Sequence, residues 1–366
     1  MRGTVQGKGL AAAMDATRSV VGHRQTLPIL GSVRMELASG HLKIQATDLE
    51  QSLTVMVPAA VDTPGTIAVP AAKMALLTRE LVDGTVDLGV GDGQWLSVKG
   101  QRARYRVPGM NADDFPAVKV STDGAPIPVK ASLLLDAIRR TAYAVSKDES
   151  RYSLNGMEWV ASGATLRVAA TDGHRLTRLV VPLESEVDAL PSAIVPRTAA
   201  KALETVLKGR DLCHLSFTAG ALVLAAPDGE VAYMVRLIEG QFPNIEAVIP
   251  THELHMTVSV DQLGEAVRRV AIMAEGGARP MKIACHSDTL VLSATSPESG
   301  EAEEEVPVTE SNVTAALEIG VNSGYVLDYL NGLGGGTVVL QVKDSQSPLL
   351  FGGADTQLYV VMPLRL

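Results

Sequence analysis

Four short patterns recur in the same order along the 366-residue chain, at a nearly constant spacing of 124–128 residues. They are an Ala-Thr strand end, a valine before a second helix, a Tyr-x-Val segment and a Phe-Pro pair. Their positions are Thr47, Thr171 and Thr295; Val69, Val195 and Val321; Tyr105, Tyr233 and Tyr359; Phe115-Pro116 and Phe242-Pro243. This period is much longer than the roughly 20–45 residues of a solenoid repeat. We therefore expect three tandem domains, at residues 1–122, 123–250 and 251–366.

Each copy begins with the pattern of an amphipathic helix. Apolar residues four apart, which share one helix face, occur as Leu10 with Met14, Leu134 with Ile138, and Leu263 with Val267. Short alternating segments such as His41–Gln45 then predict strands that are buried on one side. A second helix is predicted after the recurrent valine, with proline in its first turn in two copies. The order helix, strands, helix, strands indicates an α+β fold with helices on one face of antiparallel sheets.

Composition narrows the function classes. The net charge is −9, from 32 basic and 41 acidic residues, which is unusual for a nucleic-acid-binding protein, although local charge decides binding. The two cysteines, Cys213 and Cys285, form neither a disulfide framework nor a metal-binding spacing. The N-terminal residues lack a signal-peptide pattern, and no apolar run is long enough to span a membrane. We expect a soluble cytoplasmic protein without membrane contact, metal or cofactor.

Opposite charges mark the first and third copies. Arg102, Arg104 and Arg106 alternate along one predicted strand, which places three cations on one face. Glu301, Glu303 and Glu305 have the same spacing in the third copy. With Tyr105, Ile272, Met273, Glu298 and Glu304, they predict head-to-tail pairing between two chains. Two alternatives stay open: solvated strand edges protected by charge for the charged residues, and ordinary core for Ile272 and Met273.

Cations also recur on the predicted helices. Arg139 and Arg140 in the second copy correspond to Arg268 and Arg269 in the third. A second group predicted to share one helix face comprises Arg197, Lys201 and Lys208. Such a distribution indicates one basic surface in an acidic protein, with scattered solvated cations as the alternative.

Several longer motifs resemble those of a known protein family. They are LPILGSVRMEL, ATDLE, KDESRYSLNGMEW, ATDGHRL, IVPR, EGQFPNIEAVIP and YVVMPLRL. Over residues 26–366 the chain resembles the bacterial DNA polymerase III β subunit, the sliding clamp. The resemblance implies a homodimeric ring around duplex DNA, with helices lining the hole, that tethers the polymerase and thereby confers processivity. It also implies binding to DNA without sequence specificity and no catalytic step, as one component of a polymerase holoenzyme.

The resemblance assigns residues to two surfaces. DNA contacts correspond to Arg24, Lys73, Tyr152 and Ser153, while Asp148 replaces a family glutamine. A cleft between the second and third domains would accept short linear motifs, with a glutamine and apolar anchors, from polymerases, the clamp loader and repair proteins. Its residues correspond to Leu154, Thr171, Gly173, His174, Arg175, Leu176, Pro243, Val248, Ser347, Val360, Val361 and Met362. Ala247 and Pro348 depart from common family residues, which predicts altered partner or inhibitor preference.

Other functions remain to be weighed against a clamp. Asp172 and His174 could form an acid–base pair, but Asp-Gly between apolar runs is typical of a turn. No phosphate-binding loop, metal cluster or nucleophile elbow supports an enzyme. A scaffold that uses the same cleft without encircling DNA, or a specialised second clamp copy, fits the same motifs.

Overall fold

The computed structural model describes residues 1–21, 27–91, 93–118, 124–218, 220–352 and 357–365. The chain forms two compact units. The first comprises residues 1–135, 183–185 and 198–238, and the second comprises residues 136–182, 186–197 and 239–366.

Residues 1–108 begin with a strand and contain two helices. The helices are α1 (Gly7–Thr17) and α2 (Ala71–Arg79). The strands are β1 (Arg2–Gln6), β2 (Ser32–Ala38), β3 (His41–Thr47), β4 (Gln51–Thr63), β5 (Gly65–Pro70), β6 (Thr85–Val90), β7 (Trp95–Gly100) and β8 (Ala103–Pro108).

Residues 127–236 follow the same succession, with three strands instead of four between the helices. The helices are α3 (Ala131–Thr141) and α4 (Ala199–Leu207). The strands are β9 (Ile127–Lys130), β10 (Gly156–Thr171), β11 (Arg175–Val187), β12 (Ala193–Pro196), β13 (Leu212–Thr218), β14 (Ala221–Ala225) and β15 (Val231–Arg236).

Residues 254–361 repeat it again. The helices are α5 (Val260–Val270) and α6 (Ser323–Leu333). The strands are β16 (Leu254–Ser259), β17 (Pro280–Cys285), β18 (Thr289–Ser296), β19 (Gly300–Ser311), β20 (Leu317–Asn322), β21 (Thr337–Val342), β22 (Leu349–Gly352) and β23 (Gln357–Val361).

All strand pairing is antiparallel in the described residues. In the first unit the strand order is β8-β7-β6-β1-β4-β15-β14-β13-β9, with β3 beside β4, and β2 between β3 and β5. In the second unit it is β12-β10-β11-β23-β22-β21-β16-β19-β18-β17-β20. Strand β15 of the second repeat thus joins β4 of the first, which explains why the two units do not follow the sequence repeat.

The predicted helix faces are confirmed. Every member of the three apolar pairs is completely buried, as expected for the core face of an amphipathic helix. The prediction about proline needs correction: Pro70 is the N-cap of α2, and Pro196 lies before α4, so neither is in the first turn. In α6 the side chain of Asn322 instead accepts hydrogen bonds from the N–H groups of Gly324 and Tyr325.

The three Tyr-x-Val segments are strands, but their tyrosines differ in burial. Tyr233 and Tyr359 are completely buried, whereas Tyr105 is 37% exposed. Tyr233 donates to Gln51 Oε1 at 2.6 Å, and Tyr359 stacks on Tyr329 at 4.7 Å between ring centroids. The exposed member lies on β8, at an edge of its sheet.

Within the described residues, no helix is long and apolar enough to cross a membrane, and no group of His, Cys, Asp and Glu side chains is arranged to hold a metal.

Candidate functional site

A tight turn joins β10 to β11 in the second unit. The Asp172 carboxylate accepts from the N–H groups of His174 and Arg175, at 2.9 and 3.0 Å. Gly173 has φ +88°, a left-handed conformation that favours glycine. The Asp172 side chain therefore caps the turn, and the turn prediction is confirmed.

Arg175, the first residue of β11, is buried, and each of its three guanidinium nitrogens donates a hydrogen bond. Its Nε donates to Asp172 Oδ2 at 3.0 Å, Nη1 donates to Asp328 Oδ2 at 2.6 Å, and Nη2 donates to the Tyr143 carbonyl at 2.5 Å. Its guanidinium also lies 4.3 Å from the ring centroid of Tyr325. Burial alone would lower the pKa of Arg175, but Tyr359 and the two aspartates raise it overall.

Replacing Arg175 with alanine should destabilise the second unit by about 3 kcal/mol, because Asp172 loses its cation and the aromatic contacts are lost. Urea unfolding followed by the fluorescence of Trp159, which is completely buried in this unit, measures the effect in a Trp95→Phe background. Arg2→Ala, at a largely exposed position in the first unit, is the control. A loss below about 1 kcal/mol would contradict a stabilising role for the buried Arg175.

The segment before β10 folds against the same turn. Arg151 donates to the Asp172 carbonyl at 3.0 Å, and its guanidinium occupies the space beside Gly173 that a Cβ would need. Asp148 accepts from the N–H and hydroxyl of Ser150, which lowers the pKa of its carboxyl. A following 3-10 turn, Tyr152–Leu154, presents Tyr152 to solvent with 66% exposure.

The segment after Phe242 forms the opposite wall. A second 3-10 turn, Ile245–Val248, inserts Ile245 into a small apolar cluster and leaves Val248 57% exposed. The cluster beneath it contains Ala169, Leu176, Leu350 and Val360. Met362, which follows β23, is 44% exposed on the same side.

These segments enclose a mainly apolar cleft of about 310 Å³ within the second unit. Its lining is Leu154, Thr171, Gly173, Arg175, Leu176, Pro243, Asn244, Ile245, Val248, Val360 and Met362. Most of the predicted cleft residues therefore line one cavity.

Three predicted cleft residues do not line the cavity. His174 is exposed, and its carbonyl accepts from the Met362 N–H at 2.9 Å. Ser347 lies in a turn, where its N–H donates to Asp344 at 2.7 Å, and Val361 is completely buried in the core. Conversely, the sequence reasoning missed Asn244 and Ile245, although both lie between the predicted residues Pro243 and Val248.

Strand β8 is an edge strand of the first unit. The prediction that Arg102 shares this strand with Arg104 and Arg106 is wrong. Gly100 pairs with Ala103, so Gln101 and Arg102 form a two-residue hairpin turn and Arg102 lies outside the strand. Arg104 and Arg106 remain on one face, opposite Lys99 and Ser97 of β7. Arg106 also lies over the Trp95 ring at 5.2 Å.

Strand β19 of the second unit is paired on one side along residues 300–307, but its other side is unpaired there in the described residues. Residues 300–307 pair with β18, whereas pairing with β16 involves only Val308, Glu310 and Ser311 among the described residues. Glu301, Glu303 and Glu305 are exposed on one face. Glu304 instead faces α5, where it accepts from Arg269 at 2.5 Å, so it does not share their face.

The predicted apolar contact residues differ in exposure. Ile272 is 71% exposed, which contradicts the alternative that it is ordinary core, whereas Met273 packs partly against the core. Glu298 is exposed in the turn between β18 and β19.

The predicted basic helix surface is less regular than its periodicity suggests. Arg197 lies in the turn before α4 and Lys208 caps its end, so of that group Lys201 alone is helical. Arg140 donates to Gln357 and to Asp136, which makes it part of a hydrogen-bonded contact. Arg139 lies in α3, and Ser153 lies in the 3-10 turn Tyr152–Leu154. Lys73 is exposed on α2. Arg24 lies outside the described residues.

Family models match nearly the whole chain. The N-terminal, central and C-terminal domain models of the DNA polymerase III beta subunit match residues 1–119, 128–244 and 246–365.

Relatives with full coverage of both chains support the same assignment. The beta sliding clamp of Pseudomonas aeruginosa is 34% identical over 372 residues, and that of Escherichia coli K12 is 32% identical over 370 residues. The crystal structure of the P. aeruginosa clamp bound to griselimycin superposes with a TM-score of 0.92 and covers all of both chains. The chain therefore belongs to the DNA polymerase III β subunit family, the bacterial β sliding clamps.

Proposed function

We propose that two copies of this chain join head to tail into a ring that encircles duplex DNA and tethers the replicative polymerase. The observation that carries the proposal is a missing strand pair. Strand β15 pairs with β4, and β23 pairs with β11, but the equivalent strand β8 has no partner on its outer edge in the described residues. The equivalent acceptor, the first half of β19, is likewise free on one side.

The repeats predict the register of the missing pair. Ala46, Ala170 and Ala294 recur at intervals of 124 residues and pair with Leu53, Thr177 and Ala302. Tyr233 and Tyr359 pair with the first two of these partners. Tyr105 should therefore face Ala302 of a second copy, on the side that buries the other two tyrosines.

This register matches opposite charges. Because antiparallel partners run in opposite directions, Arg104 should face Glu303 and Arg106 should face Glu301 of the second copy. Lys99 and Arg104 are already opposed within one chain, an unfavourable pair that a nearby carboxylate would offset. The exposed Ile272 supplies apolar surface for the same contact.

Sedimentation equilibrium tests the dimer directly. The proposal requires a species of twice the chain mass of 38.5 kDa. A monomer at micromolar concentration would contradict head-to-tail closure.

In the proposed ring, basic side chains and the hydroxyls of Tyr152 and Ser153 contact phosphates without reading bases. The candidate residues are Arg24, Lys73, Arg139, Arg140, Tyr152, Ser153, Arg197 and Lys201. Sparse contacts suit sliding, since the ring is held by its topology rather than by tight binding.

Changing Lys73 and Lys201 together to glutamine should weaken salt-dependent association with short duplex DNA about three- to tenfold, because two phosphate contacts are lost. Fluorescence anisotropy at low salt measures the change. Lys343→Gln, at an exposed position after β21, is the control. Equal affinity of the double variant and the control would exclude these two lysines as DNA contacts.

The cleft is proposed to bind short linear motifs of the polymerase, the clamp loader and repair proteins. Its apolar walls fit the apolar anchors of such motifs, and its exposed Asn244 amide can orient them. In this role the chain catalyses no covalent reaction and needs no cofactor. We propose that it acts in the bacterial cytoplasm, at the replicating DNA.

A further inference from the structure

The cleft wall that carries Val248 has few attachments to the rest of the second unit. Residues 240–251 make no backbone hydrogen bond to another element in the described part of the chain. The 3-10 turn Ile245–Val248 has no side-chain cap at its start. Within the turn, two adjacent side chains attach it: Ile245 in the apolar cluster, and Glu246 on the sheet. Phe242 and Ile249, on either side of the turn, pack partly against the same cluster.

Glu246 completes a row of alternating charges, which we name the charge ladder (Glu158, Arg167, Glu246 and Arg178). Glu246 accepts from Arg167 at 2.9 Å and from Arg178 at 2.7 and 2.9 Å. Arg167 also donates to Glu158 at 3.1 Å, and Glu158 accepts from the Ser192 hydroxyl at 2.9 Å. Both arginines belong to strands β10 and β11, which also contribute the cleft floor.

We propose that Glu246 is a positioning residue that holds the Val248 wall at the spacing a bound peptide requires, a role that rests on the proposed peptide-binding function of the cleft. Glu246 does not line the cavity, so it acts through the wall rather than by touching the peptide. A wall fixed before binding saves the ordering cost that a loose segment would add to every binding event.

The charge ladder is neutral with Glu246 and has an excess positive charge without it. Removing this carboxylate leaves Arg167 and Arg178 against Glu158 alone. The wall then loses its attraction to both arginines, which favours states in which the wall is displaced. The side chains are 27–49% exposed, apart from that of Glu158 at 9%, so salt should weaken the ladder as well.

Calorimetric titration with an uncharged peptide tests this role. The probe is an acetylated, amidated hexapeptide with one glutamine and leucine anchors, so that salt cannot act on peptide charge. Glu246→Gln should bind it about three- to tenfold more weakly at about 50 mM NaCl. Raising NaCl to about 500 mM should weaken the natural chain and leave the variant nearly unchanged.

Two further variants separate positioning from general destabilisation. Adding Arg178→Gln to Glu246→Gln should cause little further loss, since both remove the same contact. Glu239→Gln, at an exposed position immediately before residues 240–251, should match the natural chain in affinity and salt response.

The possible failures are distinguishable. If the natural chain binds the peptide and Glu246→Gln binds equally well with the same salt response, the positioning role is wrong and the cleft function stands. If the natural chain itself does not bind any such peptide, the proposed function of the cleft fails, and the positioning role fails with it.

Discussion

Replacing Arg104 and Arg106 with glutamate should convert the dimer into a monomer. In the predicted register both new carboxylates would lie opposite Glu303 and Glu301 of the second copy. Like charges opposed across an interface cost several kcal/mol, so dimerisation should weaken at least about 100-fold. Both positions are exposed on an edge strand, so folding of the chain should be unaffected. Sedimentation velocity over a range of concentrations measures the dissociation constant.

A charge exchange provides the specific control for this interface. Mixing the Arg104→Glu, Arg106→Glu chain with a Glu301→Arg, Glu303→Arg chain should restore the dimer, because a mixed dimer has one interface with reversed charges and one with the natural charges. Arg236→Glu, also exposed in the first unit but on β15, five strands from β8 in the sheet order, should dimerise normally. If the doubly reversed chain remains a dimer, the proposed strand pair is wrong.

Changing Val248 and Met362 to aspartate should reduce peptide binding about 100-fold. Both side chains are exposed and line the cleft, so carboxylates there would need desolvation when an apolar anchor enters. Neither belongs to the buried core, and the unfolding midpoint should therefore change little. Calorimetric titration with the uncharged hexapeptide measures the affinity.

A matched apolar position lies elsewhere on the surface. Leu49 is 48% exposed in the turn between β3 and β4, which corresponds in the first repeat to the turn between β10 and β11. Leu49→Asp should leave peptide affinity unchanged. Equal binding by the Val248, Met362 double variant and this control would place the peptide site outside the cleft.

The sequence predicts the features that depend on local pattern. Leu263 and Val267 lie on the buried face of α5 because helix periodicity places residues four apart on one side. The Asp172-Gly173 pair predicts its turn because few other residues tolerate the backbone that it needs. The cleft lining followed largely from the family motifs, since its walls lie in a few short segments.

Partners that are distant in sequence escaped prediction. Arg140 and Gln357 are 217 residues apart, and Glu246 lies 79 residues from Arg167. No local pattern indicates that these side chains meet. Arg102 and Arg197 were misplaced for a different reason: each lies in a turn beside the predicted strand or helix, where the assumed periodicity does not apply. Element ends are harder to predict than element types because propensities change gradually along the chain.

The most direct test of the encircling ring is retention on circular DNA. The chain is loaded by its clamp loader with ATP onto a nicked circular duplex, washed at high salt, and the circle is then cut with a restriction enzyme. The protein should stay with the intact circle and leave after linearisation, because a closed ring can escape only over an end. Retention on the linear product, or release from the intact circle by salt, would contradict a topological clamp.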